Sequence, residues 1–510
     1  MNEFMDNLAK VNDAINTFVW VKIGLVMLIG TGLLMTVLLK FFQITHIGHW
    51  MKKTVGGVFA KDSHNKNEAG SVSQFQALCT ALAATIGTGN IAGVAAAIVL
   101  GGPGAVFWMW VAAFFGMMTN FSENVLGIYY RRKNKEGEWS GGAMYYLKDG
   151  LGKLPGCKWV GSILAALFSV FAVLASFGIG NMGQINKIVL NLESAFFAGS
   201  ADRKIFGDVS LVSLVIGIVL MIIAAFIIIG GLKRIAAVAE KVVPFMAVLY
   251  IIGALIVFCV HINSVGAMFS AIFRFAFGVK AVEGAAAGIA IKMVITQGCK
   301  RGVFSNEAGL GSSVMVHSNS NVKEPVKQGL WGIFEVFADT FIVCTMTAIV
   351  VLSSGAIDLN TGLAVEGTND ATLVAQAFGN VFGRPGEWFV AIAMLLFAFT
   401  TVLGWSHYGS KAVEYLFGMK AINIYKIIFV LMIVSGAVMT SSLAWDISDT
   451  FNGLMMVPNL IGVVVLSPKV VKITQSYVAR RIRGKDEEPV LSFFEDIQKE
   501  HAEAVKNGEE

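Results

Sequence analysis

Thr85-Ile86-Gly87-Thr88-Gly89-Asn90 interrupts an otherwise apolar, alanine-rich run that occupies residues 73–100. The run is long enough to cross a bilayer, which takes about 20 apolar residues per helix. Two glycines within three residues disfavour continued helix and open backbone conformations closed to other residues. A backbone unwound in lipid leaves amides and carbonyls without partners, and it is tolerated only where it lines a polar cavity. The hexapeptide therefore reads as a break in a membrane helix, about midway through the bilayer.

The remainder of the chain supports that setting. Of 510 residues, 55% are hydrophobic and only 14% charged, against roughly a quarter charged in soluble proteins. The mean hydropathy of +0.69 excludes a soluble enzyme, a nucleic-acid binder and a disordered scaffold, and makes the lipid bilayer the first partner. Eleven apolar spans are expected, over 18–40, 73–100, 103–130, 159–190, 210–230, 235–260, 285–316, 328–353, 387–416, 423–443 and 451–468. The first lacks a basic leader and a small-residue cleavage site, so it reads as a retained helix.

Basic residues cluster in alternate loops: Lys52 and Lys53; Arg131, Arg132, Lys133 and Lys135; Lys233 and Arg234; Lys411 and Lys420; Arg480, Arg481 and Arg483. The positive-inside rule then places the N-terminus outside and the C-terminus in the cytoplasm of a cell-membrane protein. The acidic, amphipathic tail from residue 486 reads as a solvated helix. Cys79, Cys157, Cys259, Cys299 and Cys344 lack any metal-ligand spacing and read as small core residues.

With the first helix and its loop set aside (residues 1–72), the spans divide into five within 73–260 and five within 285–468. An extracellular connection (261–284) joins the sets, and a cytoplasmic tail (469–510) follows. Because five is odd, the second set starts from the opposite side of the membrane, the pattern of an inverted-topology repeat. Its leading helix carries an interruption at matching depth, Gln297-Gly298-Cys299-Lys300-Arg301-Gly302. Two breaks at corresponding positions point to a midplane site. The competing reading makes these glycines packing contacts between straight helices. The expected fold is an all-α polytopic membrane protein of eleven helices, one plus a 5+5 inverted repeat with two broken helices.

The first break suggests a chemistry. Amides of Gly87, Thr88 and Gly89 at a half-helix N-terminus suit a carboxylate, and carbonyls released at Ala83 and Ile86 suit a hard monovalent cation. Thr400 and Thr401, in Phe397-Ala-Phe-Thr-Thr, add two hydroxyls. Membrane threonines are commonly bonded back to the preceding turn, but beside unwound carbonyls these become ion ligands.

Gly87-x-Gly89-Asn90 with paired hydroxyls in a later span is similar to the neurotransmitter:sodium symporters. Two longer stretches are more specific. Pro103-Gly-Ala-Val-Phe-Trp-Met-Trp110 with Gly116-Met117, and Arg301-Gly-Val-Phe-Ser-Asn-Glu-Ala-Gly-Leu-Gly-Ser312, resemble signatures of the alanine or glycine:cation symporter family over residues 15–475. The resemblance implies a LeuT-type fold of the amino acid-polyamine-organocation superfamily and sodium-coupled uptake of a small neutral amino acid, alanine or glycine. It implies sodium, the co-transported ion, held by the carbonyls of Ala83, Ile86 and Phe397 and the hydroxyls of Thr400 and Thr401. Asn90 keeps one asparagine of a second sodium position, whereas Ala84 stands where those symporters have another.

On the same reading the substrate's carboxylate meets Gly87, Thr88 and Gly89. Its ammonium meets carbonyls of the 297–302 break, Gly298 among them, and Gln184. Trp405 caps the pocket and, with Ile295, limits side-chain size; an interfacial or packing role is the alternative for Trp405. Trp108 and Trp110 read as interfacial belt residues.

Lys292, Lys300, Arg301, Glu307, Glu335 and Asp339 lie in apolar surroundings and must face the interior and pair. The expected pair is Arg301 with Glu307 or Glu335, as a structural tie, while Lys292 reaches an outer vestibule. His261 and His317 sit at span ends with no relay role. There is no HExxH, no GxSxG and no convergent Asp pair, and Glu335 and Asp339, one turn apart, lack a partner, which speaks against an intramembrane enzyme. The inverted halves fit alternating access better than a channel. Proton coupling and a glutamine- or D-alanine-preferring pocket are the nearer alternatives, and no obligate protein partner is evident.

Overall fold

The computed structural model describes residues 2–58, 71–197, 204–206, 209–277, 291–365, 370–439 and 443–507. Parts of the expected connections, 59–70 and 278–284, and the first residues of the expected seventh span, 285–290, lie outside the described residues. Among those described, eight helices are long and apolar enough to cross a membrane, or ten if each of two bent pairs is one span.

In chain order the principal helices are α1 (Asp6–Leu38), α2 (Gln74–Thr85), α3 (Gly89–Gly101), α4 (Gly104–Tyr129), α5 (Lys158–Phe196), α6 (Leu211–Ile229) and α7 (Gly231–Val260). There follow α8 (Ile262–Arg274), α9 (Ile291–Asn306), α10 (Pro325–Ser353), α11 (Asp370–Phe382), α12 (Arg384–Phe417), α13 (Met419–Ala437), α14 (Leu443–Val465), α15 (Ser467–Ile482) and α16 (Glu495–Lys506). α2 and α3 form one bent pair, at 54°, and α14 and α15 the other, at 59°.

Local chemistry fixes where α2 starts and stops. Ser73 and Gln76 form a reciprocal capping box, side chain to backbone in both directions, at 3.1 and 3.3 Å. At the other end Ile86 turns to φ −77°, ψ 93°, an extended conformation, and the helix stops at Thr85, two residues before Gly87.

Small residues let the core helices approach closely. α4 packs between α9 and α10, and α12 packs on α2, α5, α7 and α13. A Cβ on Gly404 of α12 would lie 2.6 Å from that of Ala84 in α2, so these two backbones are in direct contact. Trp108 and Trp110, expected as belt residues, tie α4 to its neighbours: the indoles donate to Ala276 O (2.6 Å) and Thr345 Oγ1 (2.8 Å). All five cysteines are free thiols; Cys79, Cys299 and Cys344 are core residues, while Cys259 faces outward.

Two expectations need correction. The 297–302 stretch is unbroken helix within α9. Gly298 and Gly302, four apart, turn their bare faces to α4, where a Cβ on Gly298 would meet Ala105 O at 2.3 Å and one on Gly302 would meet the Met109 Cα at 3.3 Å. The chain breaks later, at 307–313, where Glu307 (φ 55°), Gly309 (φ 91°) and Gly311 (φ 74°) adopt left-handed conformations that an α-helix cannot contain.

The tail is also docked, not free. Ile497, His501 and Ala504 of α16 are buried, and the Phe493 amide donates to Tyr129 O at 2.9 Å. The helix lies on a short hairpin of β1 (Arg132–Lys133) and β2 (Trp139–Ser140), with the His501 ring 5.9 Å from that of Trp139. Apolar positions at helical spacing found a protein surface to cover.

Candidate substrate and ion site

Where α2 ends, its last carbonyls lose their usual donors. The Gly87 amide turns to Asn90 Oδ1 at 2.9 Å, so it does not return to Ala83, whose carbonyl is left free of the helical ladder. Thr401 Oγ1, on α12, lies 3.4 Å from Ile86 O and 3.0 Å from Phe397 O. Thr400 Oγ1 is 2.9 Å from both Leu396 O and Phe397 O. Its hydroxyl thus follows the back-bonded pattern, while that of Thr401 bridges two helices. A Cβ on Gly87 would sit 2.4 Å from Thr401 Oγ1, and glycine there permits the approach. The structure therefore brings together Ile86, Phe397, Thr400 and Thr401, with Ala83 one turn before Gly87.

The amides expected to hold a carboxylate are partly taken. Gly87 is capped by Asn90, and the Thr88 amide points at Gln184 Oε1, 3.3 Å away. Gln184 also donates to Ile179 O at 3.0 Å and so links the first break to α5. Asn90 Nδ2 donates to Asp339 Oδ1 at 2.6 Å, and Ser305 and Thr340 donate to the same carboxylate at 3.1 and 2.9 Å. Asn90 is thus a cap and a strut to α10 at once.

Beside the break, Ala84, Gly87, Gly89, Gln184, Thr401 and Trp405 line a cavity together with Ile179, Phe304, Glu307 and Asn452. It holds about one water molecule. Ile295 and Gly298 are not among its walls; both sit in the unbroken part of α9. Trp405 Nε1 donates to Glu307 Oε1 at 2.9 Å, and Ser312 Oγ donates to Oε2 at 2.5 Å. A Cβ on Gly180 would lie 2.4 Å from Trp405 Cγ, which presses the indole against the α5 backbone.

The expected ion pair is absent among the described residues. Arg301 pairs with neither Glu307 nor Glu335; its guanidinium lies 5.9 Å from the Phe304 ring centroid. Helical geometry points Arg301 away from the later break, and Glu335 is engaged by His317 at 3.0 Å, with both side chains fully buried. Lys300 instead pairs with Asp449 at 2.8 Å. Below the second break, Glu123 accepts from Asn459, which also donates to Gly309 O at 2.9 Å, and Tyr146 donates to Asn459 Oδ1. Glu123 and Asn452 were absent from the sequence reading. Glu123, a carboxylate inside the apolar α4 run, carried a usable signal; Asn452 carried none.

A carbonyl-and-hydroxyl cluster beside a small cavity, at the break of a membrane helix, is the arrangement of an ion-coupled carrier. The Sodium:alanine symporter family profile matches residues 5–491. The chain belongs to that family.

The symporter is 43% identical to the sodium/alanine symporter AgcS of Methanococcus maripaludis, over 93% of this chain and 98% of that one. It is 37% identical to the probable sodium/glutamine symporter GlnT of Bacillus subtilis, over 95% and 93% of the two chains. Among solved structures it resembles MhsT in complex with L-phenylalanine (TM-score 0.51, 15% identity, covering 80% of this chain and 99% of that one). It also resembles a Na+-coupled sialic acid symporter (TM-score 0.50, 16% identity, covering 97% of each chain). The fold is LeuT-like, and the symporter is a multi-pass membrane transporter that couples sodium to amino-acid uptake, not an enzyme.

Proposed function

We propose that the symporter carries alanine or glycine inward with sodium by alternating access, through eleven spans arranged as one helix plus two inverted sets of five. Ten spans come from long helices and bent pairs, and α9 supplies the eleventh. The second break falls at 307–313, still at the head of the second set. The basic loops support an outer N-terminus and a cytoplasmic C-terminus.

The observation that carries this reading is the convergence of Ile86 O, Phe397 O and Thr401 Oγ1. Sodium replaces the Thr401 hydrogen bonds and gathers these oxygens with Thr400 and the free Ala83 carbonyl. Because those ligands belong to both α2 and α12, the ion joins the broken helix to its neighbour. The substrate lies next to it, its carboxylate towards Gly89 and Gln184, its side chain against Ile179, Phe304 and Trp405. The bulky walls supplied by Ile179, Phe304 and Trp405 favour a small side chain, alanine or glycine, over glutamine. Asn90, Ser305 and Asp339 offer oxygens for a second cation, the carboxylate supplying the side-chain oxygen that Ala84 does not.

Reconstituted into proteoliposomes, the protein should take up radiolabelled alanine only with inward sodium, and faster with a negative interior. One charge crossing 100 mV contributes about 2.3 kcal/mol. Uptake indifferent to both sodium and voltage would end this reading. Uptake driven equally well by a proton gradient alone would favour proton coupling.

A further inference from the structure

Glu307 is a buried carboxylate, 4% exposed, in the wall of the cavity. Its two oxygens accept from Trp405 and Ser312, both neutral donors. No basic side chain pairs with it among the described residues. The charged groups that act on it are the carboxylates of Glu335 and Asp339. A buried anion without a cation is expensive in a membrane protein. The same cavity exposes Asn452, 2% exposed, whose side-chain oxygen has no hydrogen-bond partner. Two oxygen-bearing groups, one of them a carboxyl, thus line one small chamber and lack a cationic donor.

We infer that Glu307 and Asn452 form the subsite for the substrate's ammonium group. The inference rests on the amino-acid reading of the cavity and deepens it: the substrate class is narrowed to molecules with a free, protonated α-amino group. The ammonium provides the positive charge that Glu307 lacks, and its three protons suit an array of acceptors. The carboxylate end lies by the sodium-binding break, so each end of the zwitterion meets opposite charge. Trp405 Nε1 and Ser312 Oγ hold the Glu307 carboxylate in position. The left-handed backbone at Glu307, φ 55°, places this side chain at the break itself, where no continuous helix would present it.

The test is sodium-driven uptake in proteoliposomes of the full-length protein, with lactate as competitor. Lactate keeps the carboxylate and methyl of alanine but replaces the ammonium with a hydroxyl. Wild type should import alanine and ignore lactate. Glu307→Gln should raise the KM for alanine by ~30-fold or more and reduce the preference for alanine over lactate by a similar factor. Asn452→Ala should move both in the same direction by less. Stabilisation against heating by sodium without substrate should persist in both variants, which separates a lost subsite from a lost fold. If either stabilised variant keeps the wild-type KM within twofold, or loses alanine affinity while excluding lactate as strictly as before, the inference is overturned. Should Glu307→Gln fail the sodium-stabilisation check, Asn452→Ala decides by the same criteria. Wild type that shows no sodium-driven alanine uptake refutes the transport reading instead.

Discussion

The Thr401 hydroxyl stands 3.4 Å from the carbonyl oxygen of Ile86, a contact between residues 315 apart in sequence. One side chain on a continuous helix thereby reaches the unwound end of a broken one. In the proposed sodium site, removing it deprives the coupled cation of one ligand and leaves the helices in place. Thr401→Ala should raise the sodium concentration for half-maximal alanine uptake about tenfold, equivalent to about 1.4 kcal/mol, while Thr401→Ser stays near wild type. A sodium titration at saturating alanine provides the check. An unchanged half-saturation in Thr401→Ala removes this hydroxyl from the site.

Close approach at Gly404 should be as strict as the ion site itself. The added methyl of Gly404→Ala would lie 2.6 Å from the Ala84 Cβ and 3.0 Å from the Ala84 amide nitrogen, one turn from Thr401. Overpacking of this kind costs about 1–3 kcal/mol, and here it displaces α12 from α2. Uptake should fall at least tenfold. Gly266→Ala, on α8 with nothing within 4 Å of its new Cβ, is the control and should transport normally. Comparable losses in both would show that the effect is not one of helix contact.

Lys300 and Asp449 should be energetically coupled. Their side chains are 17% and 10% exposed and meet at 2.8 Å, with Asn16 Oδ1 3.3 Å from the ammonium. Losing either partner leaves a largely buried charge, at a cost of about 2–3 kcal/mol after allowing for partial exposure. Lys300→Met with Asp449→Leu should be less destabilised than the two single changes summed, measured as thermal unfolding in detergent. Strict additivity would argue that the pair contributes nothing.

Docking of the tail should depend on pH. Burial, reinforced by Arg131, Lys323 and Lys133, pushes the His501 imidazole down to about 3 from its ordinary 6.5. Docked, it is neutral; released, it takes up a proton below pH 6.5. The free state therefore binds more protons, so docking is fully stable above about pH 6.5 and weakens as the pH falls towards 3. At pH 5 the loss is about 2 kcal/mol. Hydrogen exchange of residues 495–506, corrected for intrinsic rates, should accelerate between pH 7.5 and 5. Protection that does not change over this range would contradict the assignment.

The two breaks differ in how far sequence reveals them. Gly87-Thr88-Gly89 stands alone in an apolar run, and the helix does stop at Thr85. The second set contains four candidate glycines, at 298, 302, 309 and 311. A helix-packing glycine and a left-handed glycine look the same in sequence, because both only lack a Cβ. Gly298 and Gly302 are spaced to face α4 together, while Gly309 and Gly311 lie two apart beside Glu307, a spacing no packing face requires. Once the break moves, the expected Arg301 pair disappears as well, since an unbroken α9 turns that side chain away from Glu307.

Sequence by itself determined that the chain crosses lipid several times and that a helix opens at Gly87, because these follow from local hydropathy and backbone freedom. It also carried the family motifs and the paired threonines. Only the tertiary structure decided which hydroxyl reaches Ile86, which amides Asn90 and Gln184 have already claimed, and that Glu307 faces a cavity shared with Asn452. Those are distances between residues far apart in the chain, and they depend on how closely helices pack through residues such as Gly404 and Gly180.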